Sequence, residues 1–233
     1  MKLFLSLIFP IIFAACTRPA TFGEQYLGAP YVRDPLGEGV APDADPLIRF
    51  DAFDCTTFVE TVLADSDVEK LNKIRYKDGN IDFKSRNHFI ESEWIPNNSN
   101  LVTNASAKYG KTAIRTVKIN RAEWMKRVHH MSISEPVKTV DLEYVPYENL
   151  SNIKIEKPII VLFVHGRPRF ADKIGTDLAV HHMGFLLPNG MFRHASISAK
   201  KVVDVNFDEY VAKRKKMPNN IGIVLLEIKD GTR

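Results

Sequence analysis

The second half of this chain is dominated by β-strand patterns, and they constrain its fold most strongly. Residues 159–164 form a continuous apolar run, which is typical of a strand buried on both faces. Similar or alternating patterns predict further strands near residues 140–144, 153–155, 178–187, 191–195 and 221–228. The sequence Asn189-Gly190 predicts a tight turn between two of them. One early helix followed by these antiparallel strands predicts an α+β domain.

The early helix is predicted from about residue 55 to 64. Asp54 is the expected N-cap, and apolar side chains then recur at helical spacing. A second short helix is predicted after Asn120, where Glu123 completes a capping-box pattern. Residues 84–112 carry few periodic signals and several Asn and Ser, so we expect a long ordered loop inserted in the domain.

The N-terminus has the features of an export signal. Lys2 precedes an apolar run from 3 to 13, which is too short to span a bilayer. Ala14-Ala15-Cys16 resembles the lipobox of bacterial lipoproteins, which implies cleavage before Cys16, its lipidation, and a membrane-anchored periplasmic protein. Residues 1–15 would then be the signal, 16–22 a tether and 23–233 a single domain. The alternative is an ordinary secretory signal in which Cys16 is incidental.

Length and charge narrow the function classes. The chain has 233 residues, 32 of them basic and 28 acidic, for a net charge of +4. That length suits one domain, and the mild charge does not argue for a nucleic-acid partner. The run 213–216 is the one dense basic stretch. It indicates a solvated face, or a weak attraction to an anionic surface.

Cys55 is the first candidate for chemistry. The chain has two cysteines, so lipidation of Cys16 would leave Cys55 unpaired in an oxidising compartment. Such a cysteine is either buried and inert or a working thiol. Its position in the first turn of the predicted helix places it near free N–H groups and the helix dipole, which favour the thiolate. This segment alone leaves both interpretations open.

Two of the seven histidines fit a partner role. His182 lies inside a predicted strand between apolar flanks, and Gly184 leaves room for close approach of a backbone or ligand. A hairpin turning at Asn189-Gly190 can place His194 beside His182. A second imidazole there can hold the tautomer of the first. No carboxylate or cysteine lies at metal-ligand spacing around these histidines, so we expect no metal and no cofactor.

Four motifs in order resemble the NlpC-type papain-like peptidases of bacterial cell walls. They are Pro30-Tyr31, Asp54-Cys55-Thr56, His182-Met183-Gly184 and Arg193-His194-Ala195. Segments 35–39, 53–60 and 86–95 are similar to the branch described as N-acetylmuramoyl-L-alanine amidase-like. The resemblance implies a papain-like α+β fold with the catalytic helix packed on an antiparallel sheet or half-barrel. It also implies cleavage of the amide between the muramic acid lactyl group and L-Ala, in peptidoglycan or in muropeptide fragments.

The resemblance also implies a role for individual residues. Cys55 would attack the amide carbonyl, His182 would accept the thiol proton, and His194 would orient His182. The Cys55 backbone N–H and the Tyr31 hydroxyl would stabilise the oxyanion. Three further residues are candidate substrate contacts, with Trp94 equally able to anchor its own segment in the core: Arg86, His88 and Trp94.

Three alternatives stay open. A γ-D-glutamyl-diaminopimelate endopeptidase would cut deeper in the stem peptide. A lipid or acyl transferase of related fold would need a wide apolar groove, whereas residues 84–112 are rich in polar side chains. A non-catalytic wall-binding lipoprotein would be signalled by loss of the cysteine or histidine, and both are present.

Overall fold

The computed structural model describes residues 22–150, 153–168 and 171–229. The expected signal peptide and the expected lipidation site Cys16 lie outside the described residues, as does the expected tether apart from Phe22. Among the described helices, none has the length and apolar character needed to cross a membrane.

The described residues form one sheet of eight strands in which every strand pair is antiparallel. In chain order they are β1 Val102–Asn104, β2 Ala113–Ile119, β3 Lys138–Pro146, β4 Ile159–His165, β5 Val180–Leu186, β6 Met191–Ser196, β7 Lys201–Asn206 and β8 Asn220–Ile228. The spatial order is β2-β3-β8-β4-β5-β6-β7, and β1 also pairs with β8. The predicted α+β class is therefore confirmed.

In the part of the chain that the structure describes, six α-helices accompany the sheet. They are α1 Cys55–Leu63, α2 Val68–Arg75, α3 Ile95–Asn97, α4 Arg121–His129, α5 Ala171–Ile174 and α6 Phe207–Lys215. Helix α1 begins where predicted, because the Asp54 side chain accepts a hydrogen bond from the Thr57 backbone N–H at 2.8 Å. Helix α4 begins in the same way, at the predicted cap Asn120.

Strand β4 divides the core into two layers. All seven of its residues are buried. Ile160, Leu162 and Val164 belong to the cluster that includes helix α1, whereas Ile159 and Val161 belong to a second cluster that includes Phe207 of α6. Since alternate residues of a strand point to opposite faces, α1 covers one face of the sheet and α6 covers the other.

Two expectations are wrong, namely the loop over residues 84–112 and the strand near residues 153–155. Residues 84–112 are not simply a loop, since they contain a five-residue π-helix, Ile90–Trp94, followed by α3 and β1. Long-range pairing explains the strand, because β1 hydrogen-bonds to β8 from the other end of the chain. The alternation at Ile153 and Ile155 forms no strand, and both side chains instead pack against the second core cluster.

Candidate active site

Three parts of the chain meet at a cavity of about 520 Å³. They are the first turn of α1, the segment leading into the π-helix, and the beginning of β5. Cys55 and His182 both line this cavity, together with His88 of the candidate substrate contacts. The folding of α1 onto the sheet thus brings two residues that are 127 positions apart in the sequence to one cavity.

Burial governs the resting state of Cys55. The pKa of its thiol is raised to about 12, mainly by desolvation and further by the Asp54 carboxylate. A hydrogen bond from the Met183 backbone opposes this rise without cancelling it. In the free protein desolvation therefore favours the protonated thiol over the thiolate that was predicted at the helix N-terminus. The thiol is protonated at neutral pH until a base removes its proton.

His182 and His194 form a hydrogen-bonded pair. The His182 Nε2 and His194 Nδ1 atoms lie 2.7 Å apart, and the two rings are nearly perpendicular. Burial lowers the pKa of His182 well below its usual value, and the neighbouring His194 and Arg214 lower it further. The pKa of His194 is lowered to about 4, mainly by burial. Both rings are neutral at pH 7, so His182 is available as a proton acceptor.

The glycine between the two histidines allows this pairing. A Cβ atom on Gly184 would lie 2.6 Å from the Arg193 carbonyl oxygen and 2.7 Å from the His194 Cβ. Strands β5 and β6 therefore approach more closely here than a larger residue would permit. Arg193 points away from the histidine pair and binds Asp204 through two hydrogen bonds of 2.7 Å.

Aromatic side chains pack against both rings of the histidine pair. Phe192 stacks on His194 with centroids 4.7 Å apart, and Tyr210 of α6 meets the same ring edge-on at 5.0 Å. Phe163 lies 6.0 Å from His182. These contacts restrict both rings without supplying a charge. Tyr210 could not be predicted from the sequence, because no local pattern links α6 to the hairpin.

Tyr31 is half-buried beside the start of α1 and is not one of the residues that line the cavity of Cys55 and His182. It pairs with Phe53 in an isolated bridge, which ties its segment to the residues just before α1. The pKa of Tyr31 is raised to about 12, first by burial and then by Cys55 and Asp54. Its hydroxyl therefore keeps its proton and can donate a hydrogen bond, as an oxyanion-stabilising group must.

Arg86 does not face the catalytic cavity with a free guanidinium group. Its Nε and one terminal nitrogen donate to Glu38 at 2.8 and 2.7 Å, and the same nitrogen also contacts Asp43 at 2.8 Å. The side chain is 10% exposed. This buried ion-pair cluster uses the donors that a substrate carboxylate would need, so the expectation that Arg86 contacts substrate is corrected to a structural role.

Trp94 is also a structural residue. Its side chain is 0% exposed, and the indole Nε1 donates a 3.0 Å hydrogen bond to Glu60 of α1. The pKa of Glu60 is raised to about 7 by burial, although Arg75 lies nearby. An indole enclosed in this way has no face for a sugar ring. The expectation of a substrate contact at Trp94 is therefore wrong, and its alternative as a core anchor is confirmed.

Two further side chains, Glu91 and His88, line the cavity. Glu91 is buried, and its Oε1 accepts hydrogen bonds from the Ala179 and Val180 backbones at 2.6 Å each. These bonds fix the entry into β5, two residues before His182. His88, the remaining candidate contact, has its Nε2 2.7 Å from the Phe83 carbonyl oxygen. Within the described residues, no group of three His, Cys, Asp or Glu side chains is arranged to hold a metal ion.

The sequence of this chain matches a known protein family. A family model described as AmiA-like, N-acetylmuramoyl-L-alanine amidase-like, matches residues 21–221. No curated protein matches the chain. The matched region contains all four residues of the predicted catalytic arrangement: Tyr31, Cys55, His182 and His194.

Several solved structures have a similar fold. A protein from Legionella pneumophila has a TM-score of 0.80 at 24% identity, covering 89% of this chain and 86% of that one. An N-acetylmuramoyl-L-alanine amidase from Bacteroides uniformis has a TM-score of 0.69 at 25% identity, covering 91% of this chain and 98% of that one. A second structure with the same name and organism has a TM-score of 0.67 at 26% identity, covering 91% of this chain and 97% of that one.

Proposed function

Since the chain belongs to the N-acetylmuramoyl-L-alanine amidase-like family, we propose that it is a cysteine hydrolase that cleaves the amide between N-acetylmuramic acid and L-Ala. The observation that carries the proposal is the convergence of Cys55 and His182 on one cavity, with His194 hydrogen-bonded behind His182. A nucleophile, a base and a residue that orients the base are the three parts that acyl transfer requires.

The hydrogen bond between the histidines allows two tautomer arrangements, and one of them suits His182 as a base. When His182 Nε2 carries its proton and donates to His194 Nδ1, the lone pair of His182 Nδ1 is free to accept a proton from the Cys55 thiol. The His194 ring is then neutral with its proton on Nε2. In this arrangement His194 is a positioning residue, because it acts through His182 and does not touch the reacting atoms.

The reaction then proceeds in two steps. As the Cys55 sulfur bonds to the lactyl carbonyl carbon, the thiol proton moves to His182 Nδ1. The C–N bond breaks, and His182 returns this proton to the departing L-Ala amine, which leaves a thioester on Cys55. Water then attacks the thioester with His182 as base. This second step releases the muramic acid carboxyl group and restores the thiol.

The oxyanion formed in both steps needs donors on its side of the cavity. The Cys55 backbone N–H at the first turn of α1 is one candidate, because the first helical N–H groups have no partner within the helix. The Tyr31 hydroxyl is the other, since its raised pKa keeps it protonated. One such donor contributes roughly 3–4 kcal/mol to transition-state stabilisation in comparable sites.

The test is a product analysis on a defined disaccharide-tetrapeptide. We expect mass spectrometry to detect the free disaccharide and a tetrapeptide beginning with L-Ala, and we expect Cys55→Ala to form neither. Thr56→Ser is the matched control, because it alters the neighbouring residue while retaining a hydroxyl. A disaccharide that retains L-Ala-D-Glu would instead establish the γ-D-glutamyl-diaminopimelate endopeptidase. Equal turnover by wild type and Cys55→Ala would contradict the cysteine mechanism.

A further inference from the structure

A second cavity, of about 420 Å³, adjoins the catalytic one. His181 lines both cavities, and it directly precedes His182 in β5. His181 therefore forms part of the wall of both cavities. A single extended ligand can occupy both, with one part at Cys55 and another beyond His181.

Basic side chains from three elements line this second cavity. Arg167 follows β4, Arg214 comes from α6, and the His165 and His181 rings meet nearly perpendicular with centroids 4.3 Å apart. The other lining residues are neutral, and none of the residues that line the cavity is acidic. The lining is therefore suited to an anion.

The arginine from α6 is held in place without a carboxylate partner. Arg214 donates to the Tyr210 hydroxyl, and its guanidinium group lies 4.9 Å from the centre of the Tyr210 ring. Within the described ranges, neither Arg214 nor Arg167 forms an ion pair with an acidic side chain. Arg214 thus keeps guanidinium N–H groups for a ligand, unlike Arg86, whose donors bind Glu38 and Asp43.

We propose that the second cavity, which contains Arg167 and Arg214, binds a carboxylate of the peptide portion of the substrate while the scissile amide lies at Cys55. This inference rests on the proposed function, because it assigns the subsite of the same reaction. Arginine binds a carboxylate through two parallel hydrogen bonds, so the subsite recognises both charge and orientation. The stem peptide supplies such carboxylates, whereas the disaccharide of a muropeptide has none.

The basic run 213–216 contributes one residue to the second cavity. Only Arg214 of that run lines the cavity, whereas Lys213, Lys215 and Lys216 are exposed. The run is therefore more than a solvated face. Its lysines provide matched controls, because they carry the same charge on the same helix but lie outside the cavity.

The experiment compares two muropeptides that differ only in charge. One carries free stem carboxylates, and the other has them converted to amides. For wild type we expect kcat/KM to be about 10- to 100-fold higher on the muropeptide with free carboxylates. The amidated muropeptide is the poorer substrate because it lacks one charge-assisted hydrogen bond. Arg214→Gln and Arg167→Gln should reduce this preference to less than about threefold. Arg214→Lys should retain part of it, and Lys213→Gln should retain all of it.

A structural role for Arg214 would lower turnover of both substrates equally and leave the acid preference intact, which would overturn the proposal. So would the absence of any preference in wild type. If the Arg214 variants do not fold, Arg167→Gln still tests the proposal, because Arg167 is exposed.

Calorimetric binding of both muropeptides to Cys55→Ala separates this inference from the proposed function. If the acid binds more tightly but the lactyl amide is never cut, the amidase assignment fails and the subsite stands. If neither muropeptide binds and none is cut, the subsite fails as well.

Discussion

The His182 Nε2 and His194 Nδ1 atoms lie 2.7 Å apart across two adjacent strands. This contact occupies Nε2 of His182 and leaves Nδ1 for Cys55, the proposed nucleophile. In catalytic triads the residue that orients the histidine is usually an amide or a carboxylate, whereas the residue hydrogen-bonded to His182 is a neutral imidazole. A neutral partner orients His182 but does little to stabilise its protonated form, so the site depends on positioning more than on charge.

Removing His194 should therefore impair His182 without affecting substrate binding. We expect His194→Ala to lower kcat about 10- to 100-fold with little change in KM, in line with the loss of an orienting hydrogen bond. His194→Asn should recover part of the activity, because its side-chain oxygen can accept the same hydrogen bond. A purely structural role would give similar losses in both variants, together with a lowered melting temperature.

The hydroxyl of Tyr31 can be tested by removing one atom. If it stabilises the oxyanion, Tyr31→Phe should lower kcat about 100- to 1,000-fold. Tyr109→Phe is the matched control, because its hydroxyl contacts Glu227 at 3.3 Å, outside the catalytic cavity. Steady-state kinetics on the same muropeptide measures both variants. Unchanged kcat in Tyr31→Phe would exclude its hydroxyl from the reaction.

The pH dependence follows from the two shifted pKa values. Burial raises the pKa of the Cys55 thiol to about 12 and lowers that of His182 well below its usual value. The neutral thiol–imidazole pair is thus present between these limits. We expect kcat/KM to stay level from below the ordinary imidazole pKa of about 6.5 to above the ordinary thiol pKa of about 8.5.

Alkylation of the free protein gives an independent readout of the same pair. The rate of Cys55 modification by iodoacetamide should be low at pH 7 and should rise steadily above pH 9, because only the thiolate reacts. Fast modification at pH 6 would mean that a thiolate–imidazolium pair already exists before substrate binds, which contradicts the resting state described above.

Trp94 should matter for stability and not for substrate affinity. Trp94→Phe removes the indole donor from the buried Glu60 carboxyl group, so we expect a loss of about 1–3 kcal/mol in the free energy of unfolding. The KM for the muropeptide should not change. Denaturant titration and steady-state kinetics measure the two effects, and Trp124→Phe, which alters the half-buried tryptophan, is the comparison. A raised KM with unchanged stability would restore Trp94 as a substrate contact.

The parts of the fold that the sequence predicted correctly are specified by neighbouring residues. Helix α1 is fixed by Asp54 and its bond to Thr57, and the β5–β6 hairpin turns at Asn189-Gly190. The pairing of His182 with His194 follows from that turn and from the small residue at position 184. Such features depend on a few consecutive residues, so they can be read without knowing the rest of the structure.

The errors arise where distant residues decide the outcome. Arg86 and Trp94 looked suited to a substrate, but their partners Glu38 and Glu60 lie 48 and 34 positions earlier. Strand β7 and helix α6 were not predicted. Helix α6 nevertheless brings Tyr210 against the histidine pair. Its amphipathic pattern is weak, so the position of α6 depends on tertiary packing that no local pattern encodes.

The central claim is that Cys55 forms a covalent intermediate, and rapid-quench mass spectrometry tests it most directly. Wild type is mixed with the disaccharide-tetrapeptide, quenched in acid and digested, and the peptide containing Cys55 is weighed. We expect a thioester adduct with the mass of the disaccharide lactyl group in wild type and no adduct in Cys55→Ala. Cleavage of the lactyl amide that proceeds without this adduct, and persists in Cys55→Ala, would contradict it.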